Sequence, residues 1–171
     1  MNVVLTGMPA CGKSTVGVVL AKALGYSFID TDLLIQAKEK KLLCDIIAEK
    51  GNSAFIDIEE KVLLSLNCER TVIATGGSAI YGESGMLSLK KNSCIVYLCA
   101  EFNTVAKRLN NITTRGVVIP DGMNLSEVYL QRIALYEKYA DVKVFTDKLS
   151  IEQCVEQIIG EYTKCQKDMK G

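Results

Sequence analysis

Residues 7–14 read Gly-Met-Pro-Ala-Cys-Gly-Lys-Ser and match G-x-x-x-x-G-K-S, the pattern of a phosphate-binding loop (P-loop). The backbone N–H groups of such a loop surround the phosphates of a nucleotide. Lys13 is expected to reach the β- and γ-phosphates, and the Ser14 hydroxyl is expected to take a position on Mg²⁺. The nucleotide-binding residues predicted in and beside the loop are Gly7, Ala10, Cys11, Gly12, Lys13, Ser14 and Thr15.

Two aspartates provide a second group of candidate residues. Asp30 and Asp32 follow the short apolar segment 27–29. Beside a polyphosphate, one carboxylate can help to hold hydrated Mg²⁺, and the other can accept a hydrogen bond from a substrate hydroxyl and orient it for attack. The alternative is that one aspartate caps the following helix and the other is a first-turn acid.

A glycine pair provides a third group. Gly76 and Gly77 follow the apolar segment 71–74. They predict either a tight turn with positive φ or a patch where a substrate approaches the backbone closely. The sequence alone does not favour one of these over the other.

The elements around these residues alternate between strand and helix. The P-loop lies between a β-branched apolar run, Asn2–Thr6, and a segment with helical spacing, 15–24, which ends at Gly25. This context argues against a chance glycine turn, because a helix N-terminus after a strand favours bound phosphate. The predicted strands are 2–6, 27–29, 71–74, 93–98 and 142–145. The predicted helices are 15–24, 33–40, 44–49, 53–66, 104–109, 125–139 and 150–165, with Gly51 as a break.

Strands separated by helices predict right-handed βαβ units, and hence an α/β fold with a five-stranded parallel sheet between two layers of helices. Ligands bind at the carboxyl ends of the strands in such a sheet, where all three candidate groups fall. Residues 110–124 show no periodicity and are predicted to form a mobile lid. We expect one domain over residues 1–171, with a polar tail over 166–171.

Composition narrows the function classes. The chain has 171 residues, 49% of them apolar, and its 20 basic and 20 acidic residues cancel, so charge does not favour nucleic acid or membrane as a partner. It has no histidine and no C-x-x-C pair, which argues against a zinc site. The seven scattered cysteines are typical of reduced intracellular thiols. We expect a monomeric cytoplasmic protein without a signal peptide.

Together these motifs resemble the shikimate kinase family of P-loop kinases from residue 3 to about 159. The resemblance rests on the P-loop, on Asp-Thr-Asp at 30–32, on Gly51 with Phe55 and Glu59, on Ala-Thr-Gly-Gly at 74–77, on Arg115, and on Arg132 followed by Leu-Tyr. It implies Mg²⁺-dependent transfer of phosphate from ATP to shikimate, giving shikimate 3-phosphate.

The resemblance also implies roles for individual residues. Asp32 would contact the substrate hydroxyls and act as base, and Asp30 would support Mg²⁺. Arg115, in the lid, would contact the transferring phosphoryl group beside Lys13. Arg108 would flank the adenine. The remaining substrate-binding residues implied by the family are Gly76, Gly77 and Arg132.

The chain departs from the family pattern at four positions. Ile56 replaces an arginine that helps to bind the substrate carboxylate, and a charge-assisted hydrogen bond is worth about 1.5–3 kcal/mol. Ser78 replaces the third glycine of the patch. Gly116 replaces a proline after Arg115, which predicts a looser lid. Ala10, at a position that is small or glycine in the family, is expected to be harmless.

Alternatives therefore stay open. Because of Ile56, the acceptor could be another small polyhydroxy compound. A nucleotide-binding module with little catalysis is the second alternative. Arg132 could instead be a solvated helix residue near Glu127 or Glu137, and Arg115 could be an exposed loop charge.

Overall fold

The computed structural model describes residues 1–110 and 116–168. Five parallel strands form one sheet in the order β2-β3-β1-β4-β5. The strands are β1 (Asn2–Thr6), β2 (Ser27–Asp30), β3 (Thr71–Ala74), β4 (Ser93–Cys99) and β5 (Val142–Phe145). The helices are α1 (Lys13–Leu24), α2 (Thr31–Glu39), α3 (Leu43–Ser65), α4 (Glu83–Lys90), α5 (Phe102–Asn110), α6 (Leu125–Tyr139) and α7 (Ile151–Asp168). The α/β fold with a five-stranded parallel sheet is confirmed.

Strand β1 lies at the centre of the sheet because its apolar, β-branched residues are suited to burial on both faces. Val3 is in register with Val72 of β3 on one side and with Cys94 of β4 on the other. The P-loop therefore leaves the sheet at its middle, between the ends of β3 and β4.

Consecutive residues of β1 build two different cores, because side chains alternate across a strand. Val3 and Leu5 pack in a cluster with residues of α1 and α7. Val4 packs on the opposite face with residues of α3 and α4. Helices thus cover both faces of the sheet. Among the described residues, no helix combines the length and the apolar character needed to cross a bilayer.

Three helical features bear on the comparison with the prediction, apart from shifts of about one to three residues at the ends of α1, α5 and α7. Helix α4 and a 3₁₀ turn, Ala79–Tyr81, occupy a stretch for which the sequence predicted nothing. Helix α3 runs through Gly51, but this residue has φ 82° and ψ 168°, so the predicted break is a sharp kink. Helix α2 already begins at Thr31, which places Asp32 in its first turn and Asp30 at its N-cap.

Candidate active site

The P-loop backbone has positive φ at three residues. Gly7 has φ 143°, and a Cβ there would lie 2.6 Å from the carbonyl oxygen of Leu98. Gly12, the N-cap of α1, has φ 103°. Ala10 has φ 65°, a left-handed conformation that costs a residue with a side chain about 1–2 kcal/mol. Position 10 therefore carries a conformational cost, and the expectation that Ala10 is harmless stays a prediction.

Lys13 is almost completely buried in the loop. Its Nζ donates hydrogen bonds to the carbonyl oxygens of Gly7 at 2.7 Å and of Met8 at 2.8 Å. These bonds hold the ammonium group at the end of β1, at the start of the loop. The side chain thus places a positive charge where the P-loop motif requires one.

Ser14 and Asp30 come together across the ends of β1 and β2. Ser14 Oγ donates to Asp30 Oδ2 at 2.6 Å, and Asp30 Oδ1 accepts from the backbone N–H of Asp32 at 3.0 Å. Asp30 therefore caps helix α2 and also faces the P-loop serine. A hydroxyl and a carboxylate are hard oxygen ligands that fit Mg²⁺. Water and nucleotide oxygens would complete the coordination, since Mg²⁺ usually keeps several waters and binds substrate phosphates.

A cavity of about 480 Å³ lies on one side of the P-loop. Its size is within the range of small-molecule sites. Arg108 lines it and donates from Nη1 to the carbonyl oxygen of Ala10 at 3.1 Å. Leu149 and Ile151 contribute an apolar wall. A flat base could lie between this wall and the guanidinium group.

A second pocket lies on the other side of the loop, at the carboxyl ends of β1 and β3. Lys13, Asp32 and Gly77 line it, and Ser14 lines both this pocket and the first one. The two pockets therefore adjoin at the P-loop. We call the second one the acceptor pocket; its other lining residues include Pro9, Phe55, Glu59, Ser78 and Gly116.

Gly76 and Gly77 lie where neighbouring residues leave no room for a side chain. Gly77 lies in a turn in which the Ala79 N–H donates to the Gly76 carbonyl oxygen at 3.4 Å, but neither glycine has positive φ, so the positive-φ turn considered for them is wrong. A Cβ on Gly76 would collide with Glu59 Oε1 and lie 2.8 Å from Asp32 Oδ1, and one on Gly77 would lie 2.6 Å from Pro9 Cδ. The glycines thus allow two carboxyl groups and the P-loop proline to approach this backbone.

Arg132 has none of its side chain exposed. Its Nε donates to the Tyr81 hydroxyl at 3.3 Å, its Nη2 donates to the carbonyl oxygen of Val118 at 2.5 Å, and the guanidinium group lies over the Tyr81 ring. Nη1 has no hydrogen-bond partner within residues 1–110 and 116–168. The alternative of a solvated helix residue is therefore wrong, because surface arginines are not held in this way.

Glu59 is a site residue to which the sequence analysis gave no role. Only 2% of it is exposed, and its Oε2 accepts a hydrogen bond from Ser78 Oγ. Burial raises the pKa of the Glu59 carboxyl to about 8, against the lowering effect of the Ser78 hydrogen bond. The sequence contains a signal for this burial. Glu59 follows Phe55 by four residues and precedes Val62 by three, and this spacing places all three on the buried face of α3.

The predicted lid is described only in part, since Arg115 lies outside the described residues. Past it, Asn52 of α3 donates to the carbonyl oxygen of Ile119 at 2.7 Å, and Val118 is buried against α3. A Cβ on Gly116 would lie 2.9 Å from the backbone nitrogen of Cys44. Close packing on α3 is thus a structural reason for glycine at position 116, and the looser lid stays a prediction.

The structure therefore brings most predicted site residues to one edge of the sheet. Lys13, Ser14, Asp30, Asp32 and the glycine pair surround the point where the two pockets meet. Arg108 lies across the nucleotide-side cavity. These placements agree with the expected positions, although each residue's chemical role stays a prediction.

Comparison with known proteins gives a consistent result. The family model for shikimate kinase matches residues 9–163. A shikimate kinase of Thermodesulfovibrio yellowstonii is 36% identical over 95% of both chains, and one of Bacillus cereus (strain AH187) is 32% identical over 92% of this chain and 95% of its own.

Solved structures agree with this assignment. The shikimate kinase of Acinetobacter baumannii, solved in complex with shikimate, has a TM-score of 0.85 at 28% identity and covers 92% of this chain and 90% of its own. That of Aquifex aeolicus has a TM-score of 0.81 at 29% identity, with coverage of 94% and 95%. With the P-loop and the acceptor pocket in the places described above, these matches show that the chain belongs to the shikimate kinase family.

Proposed function

We propose that this protein transfers the γ-phosphoryl group of ATP to a hydroxyl of shikimate. The observation that carries the proposal is the junction of the two pockets at Ser14, with Lys13 and Asp32 on the acceptor side. A nucleotide in the larger cavity would direct its terminal phosphate toward the acceptor pocket. The family assignment supports shikimate as the acceptor.

The chemistry follows from charge and position. Asp32 accepts a hydrogen bond from the attacking hydroxyl and orients it toward the phosphorus atom. Lys13 stabilises negative charge on the transferring group, and phosphoryl transfer needs little beyond positioning and such stabilisation. Walls contributed by Phe55 and Gly116 exclude water from the acceptor. Arg115 is proposed to add a second positive charge at the phosphoryl group.

Mg²⁺ is the proposed cofactor. Ser14 and Asp30 would hold it, because their oxygens lie together beside the loop. When bound, the ion neutralises phosphate charge. A monomeric state, a cytoplasmic location and a single domain with a lid over 110–124 remain predictions.

The acceptor carboxylate is proposed to bind Arg132. Its Nη1 is buried and has no partner in the part of the chain that the structure describes, so a ligand anion would satisfy it. Two other guanidinium nitrogens are fixed by Tyr81 and Val118, which holds the group in one orientation. Arg132 thus supplies a preorganised cation although position 56 has none.

A coupled assay of ATP consumption tests this function. We expect turnover that depends on shikimate, with much lower rates for a panel of sugar acids and polyols. Tight ATP binding without turnover of any acceptor would contradict the assignment as an enzyme. Preference for an uncharged polyol would contradict shikimate as the acceptor and leave the kinase assignment intact.

Replacing Ile56 with arginine should lower the KM for shikimate by about tenfold, which matches one added charge-assisted hydrogen bond. Ile56 is half-buried against the apolar cluster that includes Val118, whose carbonyl oxygen Arg132 contacts. A cation at 56 would therefore lie near Arg132.

Steady-state kinetics at fixed ATP measure this change in KM. Leu64→Arg, at a half-exposed position of the same helix, is the matched control and should change nothing. Unchanged shikimate kinetics in Ile56→Arg would mean that the acceptor carboxylate does not lie near position 56.

A further inference from the structure

One carboxyl group in the acceptor pocket has no part in the chemistry above. Glu59 lines this pocket with Lys13 and Asp32, yet it is almost completely buried. Ser78 holds its Oε2, while Oε1 has no hydrogen-bond partner among the described residues. A buried polar atom without a partner is costly, and a bound ligand would satisfy it.

The position of Oε1 indicates which part of a ligand it would meet. A Cβ built on Gly76 would collide with Glu59 Oε1 and would lie 2.8 Å from Asp32 Oδ1. The two carboxyl oxygens therefore converge on one point above the glycine. An acceptor hydroxyl oriented by Asp32 would have Glu59 Oε1 beside it.

We propose that Glu59 is a specificity-determining residue of the acceptor pocket. Ser78 fixes its Oε2, and its Oε1 forms a hydrogen bond with the acceptor beside Asp32. The Glu59 carboxyl must be neutral for an anionic acceptor to bind. This inference rests on the proposed function, since it assigns a further residue to the same site. It explains how the pocket accepts a carboxylate although Ile56 stands where the family has an arginine.

The charges around Glu59 give the physical reason. Among residues 1–110 and 116–168, the charged groups that act electrostatically on it are Asp32 from α2, Lys13 from α1 and Arg132 from α6. When Glu59 is neutral, two cations oppose one carboxylate, and an anionic acceptor is attracted. When Glu59 is ionised, the excess positive charge is gone and two carboxylates lie close to the acceptor.

The hydrogen bonding of the neutral form agrees with this role. Because the Ser78 hydroxyl donates to Oε2, the proton of the neutral Glu59 carboxyl is placed on Oε1, which then donates toward the acceptor. Burial raises the pKa of Glu59 to about 8, so the neutral form dominates at pH 7 and is lost as the pH rises.

The experiment compares wild type with Glu59→Gln, which keeps the shape and is neutral at every pH. In wild type, the KM for shikimate should rise about tenfold between pH 7 and pH 9, because only the protonated fraction binds. In Glu59→Gln the KM should stay constant over this range. The KM for ATP should follow the same course in both proteins, and Asp57→Asn, an exposed neighbour on α3, should behave as wild type.

Ser78→Ala provides a second variant. The Ser78 hydrogen bond lowers the pKa of Glu59, so its removal should move the rise in KM to higher pH. Thermal unfolding gives a readout apart from activity. The Tm of Glu59→Gln minus the Tm of wild type should become more positive from pH 5.5 to pH 8. The sign follows because the unfolded carboxyl is ionised throughout this range, whereas the folded wild type keeps its proton.

With normal shikimate turnover, two results would overturn the inference. One is a rise in the KM for shikimate at alkaline pH that is the same in Glu59→Gln as in wild type, and the other is no rise in wild type. Failure of the proposed function itself would look different, because wild type would then show no shikimate-dependent consumption of ATP at any pH.

Discussion

Replacing Lys13 with alanine should lower the kcat for shikimate phosphorylation by about 10³-fold or more, the scale on which a charge at the transferring phosphoryl group contributes. Lys13 is the one cation, among the described residues, that lines the acceptor pocket beside the P-loop. Its ammonium is fixed by the carbonyl oxygens of Gly7 and Met8, so it is positioned before the reaction begins.

Single-turnover kinetics with saturating ATP measure this loss at the chemical step. Lys22→Ala, an exposed lysine in the last turn of the same helix, is the matched control and should retain full activity. Calorimetric titration with ATP separates weak binding from slow chemistry. Near-native phosphorylation by Lys13→Ala would show that the P-loop assignment is wrong.

Replacing Asp32 with asparagine should lower kcat by about 10²–10⁴-fold with little effect on ATP affinity, because the shape stays and the charge that orients the acceptor hydroxyl is lost. The fold around this position should survive. The capping hydrogen bond to Asp30 comes from the backbone nitrogen of Asp32, and asparagine keeps that donor.

The measurement is kcat together with the dissociation constant for ATP, and Asp57→Asn serves as the control for loss of one carboxylate. A loss of ATP affinity with no specific loss of kcat would assign Asp32 to the metal or to the helix terminus. Thermal unfolding of both variants checks that the helix remains intact.

The strands were predictable because their patterns are local. Asn2–Thr6, Thr71–Ala74 and Val142–Phe145 have the predicted bounds, since short β-branched runs between turn residues have few alternatives. Helix α4 was missed because its sequence contains Ser84 and Gly85, which carry little helical preference. Its first turn is stabilised by the α3 side chain Glu60, which accepts hydrogen bonds from the backbone N–H groups of both residues.

The candidate site also contains residues that local motifs predict and residues that depend on distant contacts. Lys13, Ser14 and Asp30 belong to short motifs at strand ends, and the βαβ rule places such ends at one edge of a sheet. Glu59 and Arg132 depend on contacts between distant segments, Glu59 with Ser78 and Arg132 with Val118. Helical spacing indicates a buried position for Glu59, but these contacts with Ser78 and Val118 follow from tertiary packing, which a single sequence does not specify.

The central position of β1 has a consequence for how the chain folds as it is synthesised. β1 leaves the ribosome first, but its two hydrogen-bonding partners are β3 and β4, which end at Ala74 and Cys99. At about 5–20 residues per second, β1 waits on the order of 5–20 s before both of its edges are paired. The carbonyl oxygen of Leu98 lies close to Gly7, so the nucleotide-binding loop meets this neighbour only after β4 has emerged.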